Sequence, residues 1–228
     1  MAASWCRRSP CKSDEKGGVM AMGIPVLIIG ESGSGKSTSL RNFEPGEIGI
    51  FNVASKPLPF RKKLPCANAA DYPLIVRTLA QHNKTKYAID DSQYLLAFEF
   101  FNHASEKGYE KFTNMALNFY NLIRFIQFKT PDNCIVYFLH HTEASYDAAG
   151  NRRLKAKTIG KMLDEKLTVE GLFSIVLLCQ ADAAGRHYFQ TQSNGNSTAK
   201  SPMELFPAEI DNDLKAVDKA IREYYQLE

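Results

Sequence analysis

Nine consecutive residues constrain this chain more than any other feature. Gly30-Glu31-Ser32-Gly33-Ser34-Gly35-Lys36-Ser37, followed by Thr38, fits the pattern G-x-x-x-x-G-K-[S/T]. Its glycines let the backbone curl into a nest of N–H donors around a phosphate. Lys36 then spans two phosphates, and the Ser37 hydroxyl is placed to ligate Mg²⁺. A chance match in a chain of this length is roughly one in a hundred, and the flanks strengthen it. Residues 24–29 are an apolar run of the kind that forms a strand buried on both faces. Residues 37–42 are compatible with a helix whose positive end faces the phosphate. The loop therefore demands an α/β fold and a nucleotide.

The rest of the chain fits that demand. Short apolar runs at 48–53, 86–89, 134–139 and 173–178 read as further strands, and the alternating run 187–191 reads as an edge strand. Helical spacing appears at 71–81, 92–101 and 109–127. A last helix, capped by Asp211 or Asp213, carries Leu214, Val217, Ile221 and Tyr224 or Tyr225 at helical intervals. Strands alternating with helices imply a mostly parallel sheet flanked by helices, closed by a C-terminal helix. Residues 1–22 lack apolar periodicity and are expected to be a flexible tail, either genuine or an artefact of start-site choice, since Met20 and Met22 lie just before the first strand. Residues 23–228 are expected to form one domain.

Composition narrows the class. With 44% hydrophobic and 23% charged residues among 228, the chain is ordinary globular material, which excludes disorder and a disulfide scaffold. A net charge of +3 is too weak to argue for or against nucleic acid. The five cysteines, Cys6, Cys11, Cys66, Cys134 and Cys179, show no metal-ligand spacing. Cys134 and Cys179 lie in apolar runs, as buried thiols do in a reducing compartment. No apolar run approaches the ~18 residues of a membrane span, so the expected location is the cytoplasm, with no membrane partner.

A phosphate loop needs an acidic partner at the end of another strand. Tyr87-Ala88-Ile89-Asp90-Asp91 supplies it, at the sheet edge where α/β sites form. Asp90 is the Mg²⁺-side carboxylate, while Asp91 or Glu31 orients the attacking water; the pair also suits a cap for the helix starting near Ser92. One strand, 48–53, lies between loop and acidic pair in sequence, an order that resembles the RecA and AAA-type ATPases. In RecA-like enzymes the strand after the loop ends near a glutamate. Here Phe51-Asn52-Val53-Ala54-Ser55-Lys56 carries no carboxylate, which implies slow turnover and moves the water-orienting role towards Asp91.

Several longer stretches carry a more specific likeness: GESGSGKSTSLRNF, FNVASKPLPF, YAIDDSQYL, FLHHTE, KTIGKMLDEKLTVEGLF, FQTQSNGNSTAKSPMELF and IDNDLKAVDKAIREYY. Together they span about residues 23–226, and the chain resembles the short phage-encoded AAA/RecA-like ATP-binding proteins related to Sak-type single-strand annealing ATPases. The resemblance implies a RecA-like P-loop core, ATP with Mg²⁺ as cofactors, and ATPase activity. It also implies a role on single-stranded DNA in phage recombination, annealing or replication. Homo-oligomers on DNA and a single-strand DNA-binding protein are the partners it brings.

His140 and His141 end the fourth strand at the edge facing the loop, as the Gln does in RecA. One of them is the candidate sensor of the γ-phosphate, and His141 is preferred over a pair of histidines merely satisfied by backbone. The following segment turns at Ala149-Gly150-Asn151 and is expected to be a hairpin or mobile loop whose return arm carries Arg152, Arg153, Lys155 and Lys157, the candidate DNA contacts, against the alternative of a solvated basic loop. Lys157, Lys161 and Lys200 are candidates for reaching a neighbouring subunit's nucleotide. The aromatic series Phe98, Phe100, Phe101, Tyr109, Phe112, Phe119, Tyr120, Phe125 and Phe128 has helical spacing and is read as core rather than a base-stacking platform. Lys56-Pro57-Leu58-Pro59-Phe60 has no assigned mechanism beyond a surface loop near the nucleotide edge. Two other functions fit a P-loop chain of this size: a small-molecule kinase and a non-catalytic, nucleotide-gated adaptor.

Overall fold

The computed structural model describes residues 22–106, 108, 110–146, 150–159, 163 and 167–228. Most of the expected tail therefore lies outside the described residues. In chain order the elements are β1 (Ile24–Gly30), β2 (Gly49–Asn52), β3 (Cys66–Asn68), α1 (Tyr72–Leu79), β4 (Lys86–Asp90), α2 (Gln93–Asn102) and α3 (Glu110–Lys129). They continue with β5 (Ile135–Tyr146), β6 (Arg152–Ala156), β7 (Ile175–Ala181), β8 (His187–Gln190), β9 (Glu209–Asp211) and α4 (Leu214–Tyr225). The strands run in the spatial order β3-β2-β4-β5-β1-β7-β8-β9, with β6 hydrogen-bonded to the far end of β5. From β3 to β7 every pairing along this path is parallel; β8 is antiparallel to both its neighbours. β5 thus separates the loop strand β1 from the acidic strand β4. This is the RecA-like arrangement, a mostly parallel α/β sheet flanked by helices.

Alternation along each strand divides the core in two. Leu27, Ile29, Ile89, Val136 and Phe138 share one cluster with Ile75, Leu79, Leu95, Phe119, Ile123 and Ile126 from α1, α2 and α3. Val26, Ile28, Ala88, Tyr137 and Leu139 share the other with Leu40, Phe43, Leu214, Val217 and Ile221. Both faces are covered, which is why β1 reads as an unbroken apolar run. Local signals set the helix starts. The Asp71 carboxylate accepts from the Leu74 N–H at 2.9 Å to cap α1, and Asp213 accepts from the Lys215 and Ala216 N–H groups to cap α4.

The structure departs from the expectations at five places. The helix after the phosphate loop is a short 3₁₀ turn, Ser37–Asn42. Side chains compete for its carbonyls: the Ser39 hydroxyl donates to the Lys36 carbonyl at 2.5 Å, and Arg41 donates to the Thr38 carbonyl at 3.2 Å. β8 is internal rather than an edge, because the three-residue β9 pairs outside it. β3 is equally short, and neither element carries enough pattern to be recognised from sequence. β5 continues to Tyr146, well past the expected end at residue 139, and of the expected hairpin or mobile loop it is the hairpin, with β6, that forms. The aromatic series is only partly core. Phe119 is fully buried, but Phe98 and Phe101 are 43% and 70% exposed. The side of α2 that meets α3 carries Phe100, whose ring lies 5.9 Å from that of Phe112, and its two neighbours in the series project elsewhere. Tyr109 lies outside the described residues.

Candidate functional site

β1 delivers the phosphate loop at the C-terminal edge of the sheet. Gly33 and Gly35 have φ of +80° and +102°, a region that side chains avoid. At Gly35 a methyl would also meet the His187 ring at 2.8 Å. The Lys36 ammonium folds back to donate to the Gly30 and Glu31 carbonyls at 2.9 and 2.8 Å. Lys36 is buried, and burial lowers its pKa against the pull of Asp91 and Asp90. The hydroxyl of Ser34 is buried, with no hydrogen-bond partner among the described residues. Glu31 and Ser32 are exposed, and Thr38 is half-buried.

The loop is braced from below by residues distant in sequence. The Cys179 thiol donates to the Ser34 carbonyl at 3.1 Å, and His187 Nδ1 lies 2.8 Å from the same oxygen. The Asn212 amide donates to the Gly35 carbonyl at 3.2 Å, while Arg41 donates to the backbone and side-chain oxygens of Asn212. Burial pushes the Cys179 thiol up to about 11, so it serves as a neutral donor. His187 and Asn212 were missed by sequence reasoning. Nothing local marks them, although Asn212 lies inside one of the stretches that carry the resemblance.

Ser37 and Asp90 come together as the spacing requires: the Ser37 hydroxyl donates to Asp90 Oδ1 at 2.7 Å across 53 residues. Asp90 sits in register with Asn52 on β2 and is buried. Desolvation raises its pKa, while the Ser37 hydrogen bond acts in the opposite sense. Two hard oxygens at contact distance are the donor set that a partly hydrated Mg²⁺ uses together with nucleotide phosphates.

Asp91 follows with φ of +58°, turned out of the strand. Both of its oxygens are engaged: Lys56 Nζ lies 2.6 Å from Oδ2 and His141 Nε2 lies 3.2 Å from Oδ1. Its pKa is lowered to about 2: burial alone would raise it, and the hydrogen bonds from His141 and Lys56 overcome that. Lys56 belongs to the motif for which the sequence suggests no mechanism. The turn that presents it is held by the Asn52 amide, which donates to the Lys56 carbonyl at 2.7 Å. The Tyr94 ring lies under the ammonium, 4.9 Å from it.

Strand alternation separates the two histidines. His140 turns into the helical core beside Phe119 and is fully buried. Its Nε2 lies 2.8 Å from the Lys157 carbonyl, so that nitrogen carries the proton and Nδ1 accepts from the Ser92 hydroxyl at 2.9 Å. Burial lowers its pKa to about 4, which keeps it neutral. His141 is the one on the site side, in register with Gly30 and bonded to Asp91.

The hairpin rises from this same strand. Its base is tied to the site, since the Lys157 N–H donates to the His141 carbonyl at 2.8 Å. Buried Glu170 clamps it from the side, accepting from the Ala156 N–H at 2.7 Å and from the Thr198 hydroxyl at 3.2 Å. The four candidate cations are unlike one another. Arg152 pairs with Glu31 of the phosphate loop at 2.5 Å, and Lys155 pairs with Glu143 across the hairpin at 3.3 Å. Arg153 and Lys157 are exposed at the hairpin surface. Lys200 lies in backbone pairing with Val176, and Lys161 lies outside the described residues.

No protein-family model matches the sequence, and no curated protein matches it. Among solved structures, the chain is similar to the P4 protein from bacteriophage phi6 in complex with ADP, at 16% identity and a TM-score of 0.39. The match covers 84% of this chain and 62% of that one, so the chain spans less than two thirds of the protein it resembles. Among the described residues no helix is long and apolar enough to cross a membrane.

Proposed function

We propose that this protein is a Mg²⁺-dependent ATP-binding and ATP-hydrolysing enzyme whose nucleotide state governs a basic hairpin that contacts single-stranded DNA. The observation that carries the nucleotide half is the Ser37–Asp90 hydrogen bond of 2.7 Å beside the buried Lys36. Lys36 neutralises phosphate charge, and the loop N–H groups cradle the β-phosphate. The donors are local to the loop, since the turn that follows is too short to add a helix dipole. Ser37 and Asp90 are the residues that would hold Mg²⁺, which supplies charge neutralisation to the phosphates. Asp91 is the water-side carboxylate and His141 its partner. With no glutamate at the end of β2 and both Asp91 oxygens already bonded, turnover is slow.

The DNA half is supported by the path from site to hairpin. β5 carries His141 to Asp91 at one end of the site and the hairpin beyond it, while Arg152 touches Glu31 on the loop itself. Both partners of that ion pair are more than half exposed, and a pair of this kind is worth roughly 0–1 kcal/mol. A nucleotide phosphate or a DNA backbone competes with it readily. Arg153, Lys155 and Lys157 then supply further phosphate contacts, on DNA processed in recombination or annealing by assembled copies of the chain.

The test is anisotropy of labelled single-stranded DNA with and without ATP–Mg²⁺, across a salt series. Binding should strengthen with ATP and fall with salt, with a slope of roughly 0.7 per phosphate contact. Lys36→Ala should abolish the ATP response and leave the fold intact; retained ATP binding in that variant would overturn the site. Tight ATP binding with no DNA effect, negligible turnover and a protein partner would instead identify an adaptor. Phosphoryl transfer to a small acceptor would identify a kinase.

A further inference from the structure

The lysine of the unexplained Lys56-Pro57-Leu58-Pro59-Phe60 segment is placed with more care than a surface loop requires. β2 ends at Asn52, directly beside Asp90 in the sheet. The chain then turns through Ser55, whose φ of +55° is held while its hydroxyl accepts from the Ala69 N–H at 2.8 Å. The Asn52 amide fixes the turn from inside, bridging to the Lys56 carbonyl and to the Asn68 side chain at 2.7 and 3.0 Å. Pro57 stiffens the chain immediately after the lysine. The result is a rigid turn that aims a long cation back over the sheet edge at Asp91.

The side chain itself contrasts with its mount. It is 56% exposed, whereas that of Asp91 is 10% exposed. Its partner Asp91 directly follows Asp90, the carboxylate bonded to Ser37 of the phosphate loop. His141 stands in register with Gly30, so Asp91, His141 and Lys56 adjoin the phosphate loop and the Ser37–Asp90 pair.

We propose that Lys56 is a γ-phosphate ligand supplied by the same chain, which exchanges its Asp91 contact for a phosphate oxygen when a triphosphate binds. In this role, which rests on the nucleotide reading of the site, it distinguishes ATP from ADP. Its departure frees one Asp91 oxygen for the water. Tyr94 supports the ammonium in the resting position and limits how far it strays.

The experiment is calorimetric titration of the full chain with ADP and with a non-hydrolysable ATP analogue, both with Mg²⁺. The variants are Lys56→Ala, Lys56→Met and Lys56→Arg. A charge-assisted contact of this kind is worth roughly 10- to 100-fold in affinity. Lys56→Ala should weaken the analogue by at least about 10-fold while changing ADP by less than about 2-fold. Lys56→Arg should recover most of the loss. Equal weakening of both nucleotides would assign Lys56 to holding Asp91 only and overturn the proposal, as would no change in either. Should Lys56→Ala fold poorly, the nearly isosteric Lys56→Met reads the same ratio. A wild-type chain that binds neither nucleotide would defeat the nucleotide reading itself, whereas unequal binding in wild type that survives Lys56→Met defeats only the role of Lys56.

Discussion

β5 is one strand with two characters. Its first six residues, Ile135 to His140, are fully buried between β4 and β1, while Ala144 and Tyr146 near its far end are exposed and pair only with β6. The buried half is held by packing on both faces. The exposed half is held by ladder hydrogen bonds and by cross-hairpin pairs such as Glu143–Lys155. The boundary falls at His140 and His141, where the site is. Beyond that boundary the strand depends on β6, which Glu170 and the Leu154–Ser197 backbone bridge hold in turn.

Stability measurements test the contrast between the two halves most directly. Phe138 is fully buried against Phe119 and Phe173, so Phe138→Ala should cost about 3–5 kcal/mol in denaturant unfolding. Tyr146→Ala, at the exposed end, should stay within about 0.5 kcal/mol. Similar losses at both would mean that the hairpin is part of the core.

Substitutions in the phosphate loop come next in size. Gly35→Ala adds both a clash with His187 and a disfavoured φ, while Gly33→Ala adds only the φ, with nothing near its Cβ. Backbone strain of that type costs about 1–3 kcal/mol. Nucleotide affinity should therefore fall more at Gly35 than at Gly33, and His187→Ala should restore only part of the Gly35→Ala loss. Full restoration would show that space, not backbone conformation, governs the loop.

A smaller effect separates the ends of the site by pH. The hydrogen bonds from His141 and Lys56 hold the Asp91 carboxyl at about 2, below the ordinary 3.8, even though burial pushes the other way. A depressed carboxylate stabilises the fold above its unfolded pKa, and that contribution is lost as pH falls through the folded one. The melting-temperature advantage of wild type over Asp91→Asn should be constant above about pH 5 and shrink between about pH 4 and 2. The smallest change in stability is expected for joint replacement of Arg152, Arg153, Lys155 and Lys157 by Ala, which should leave the melting temperature nearly unchanged. It should also flatten the salt dependence of the proposed DNA binding by up to about 0.7 per charge removed.

Much of this was legible in the sequence because it is local or periodic. The loop, the acidic pair and the buried strands announce themselves in runs of a few residues, and alternation alone separates His140 from His141 once the strand register is known. Contacts across long separations were not legible. Asn212 and His187 reach the loop from more than 150 residues away, and three-residue strands such as β9 have too little pattern to be seen. Lys56 was visible as part of a motif but not as a partner of Asp91, because that pairing depends on a turn fixed by Asn52.

The brace under the phosphate loop has a consequence for how the protein is made. Cys179, His187 and Asn212, which hold the Ser34 and Gly35 carbonyls, follow those residues by 145, 153 and 177 positions. A nascent chain therefore leaves the ribosome carrying its nucleotide loop long before the supports that shape it. The brace can form only once β7, β8 and the start of α4 have emerged.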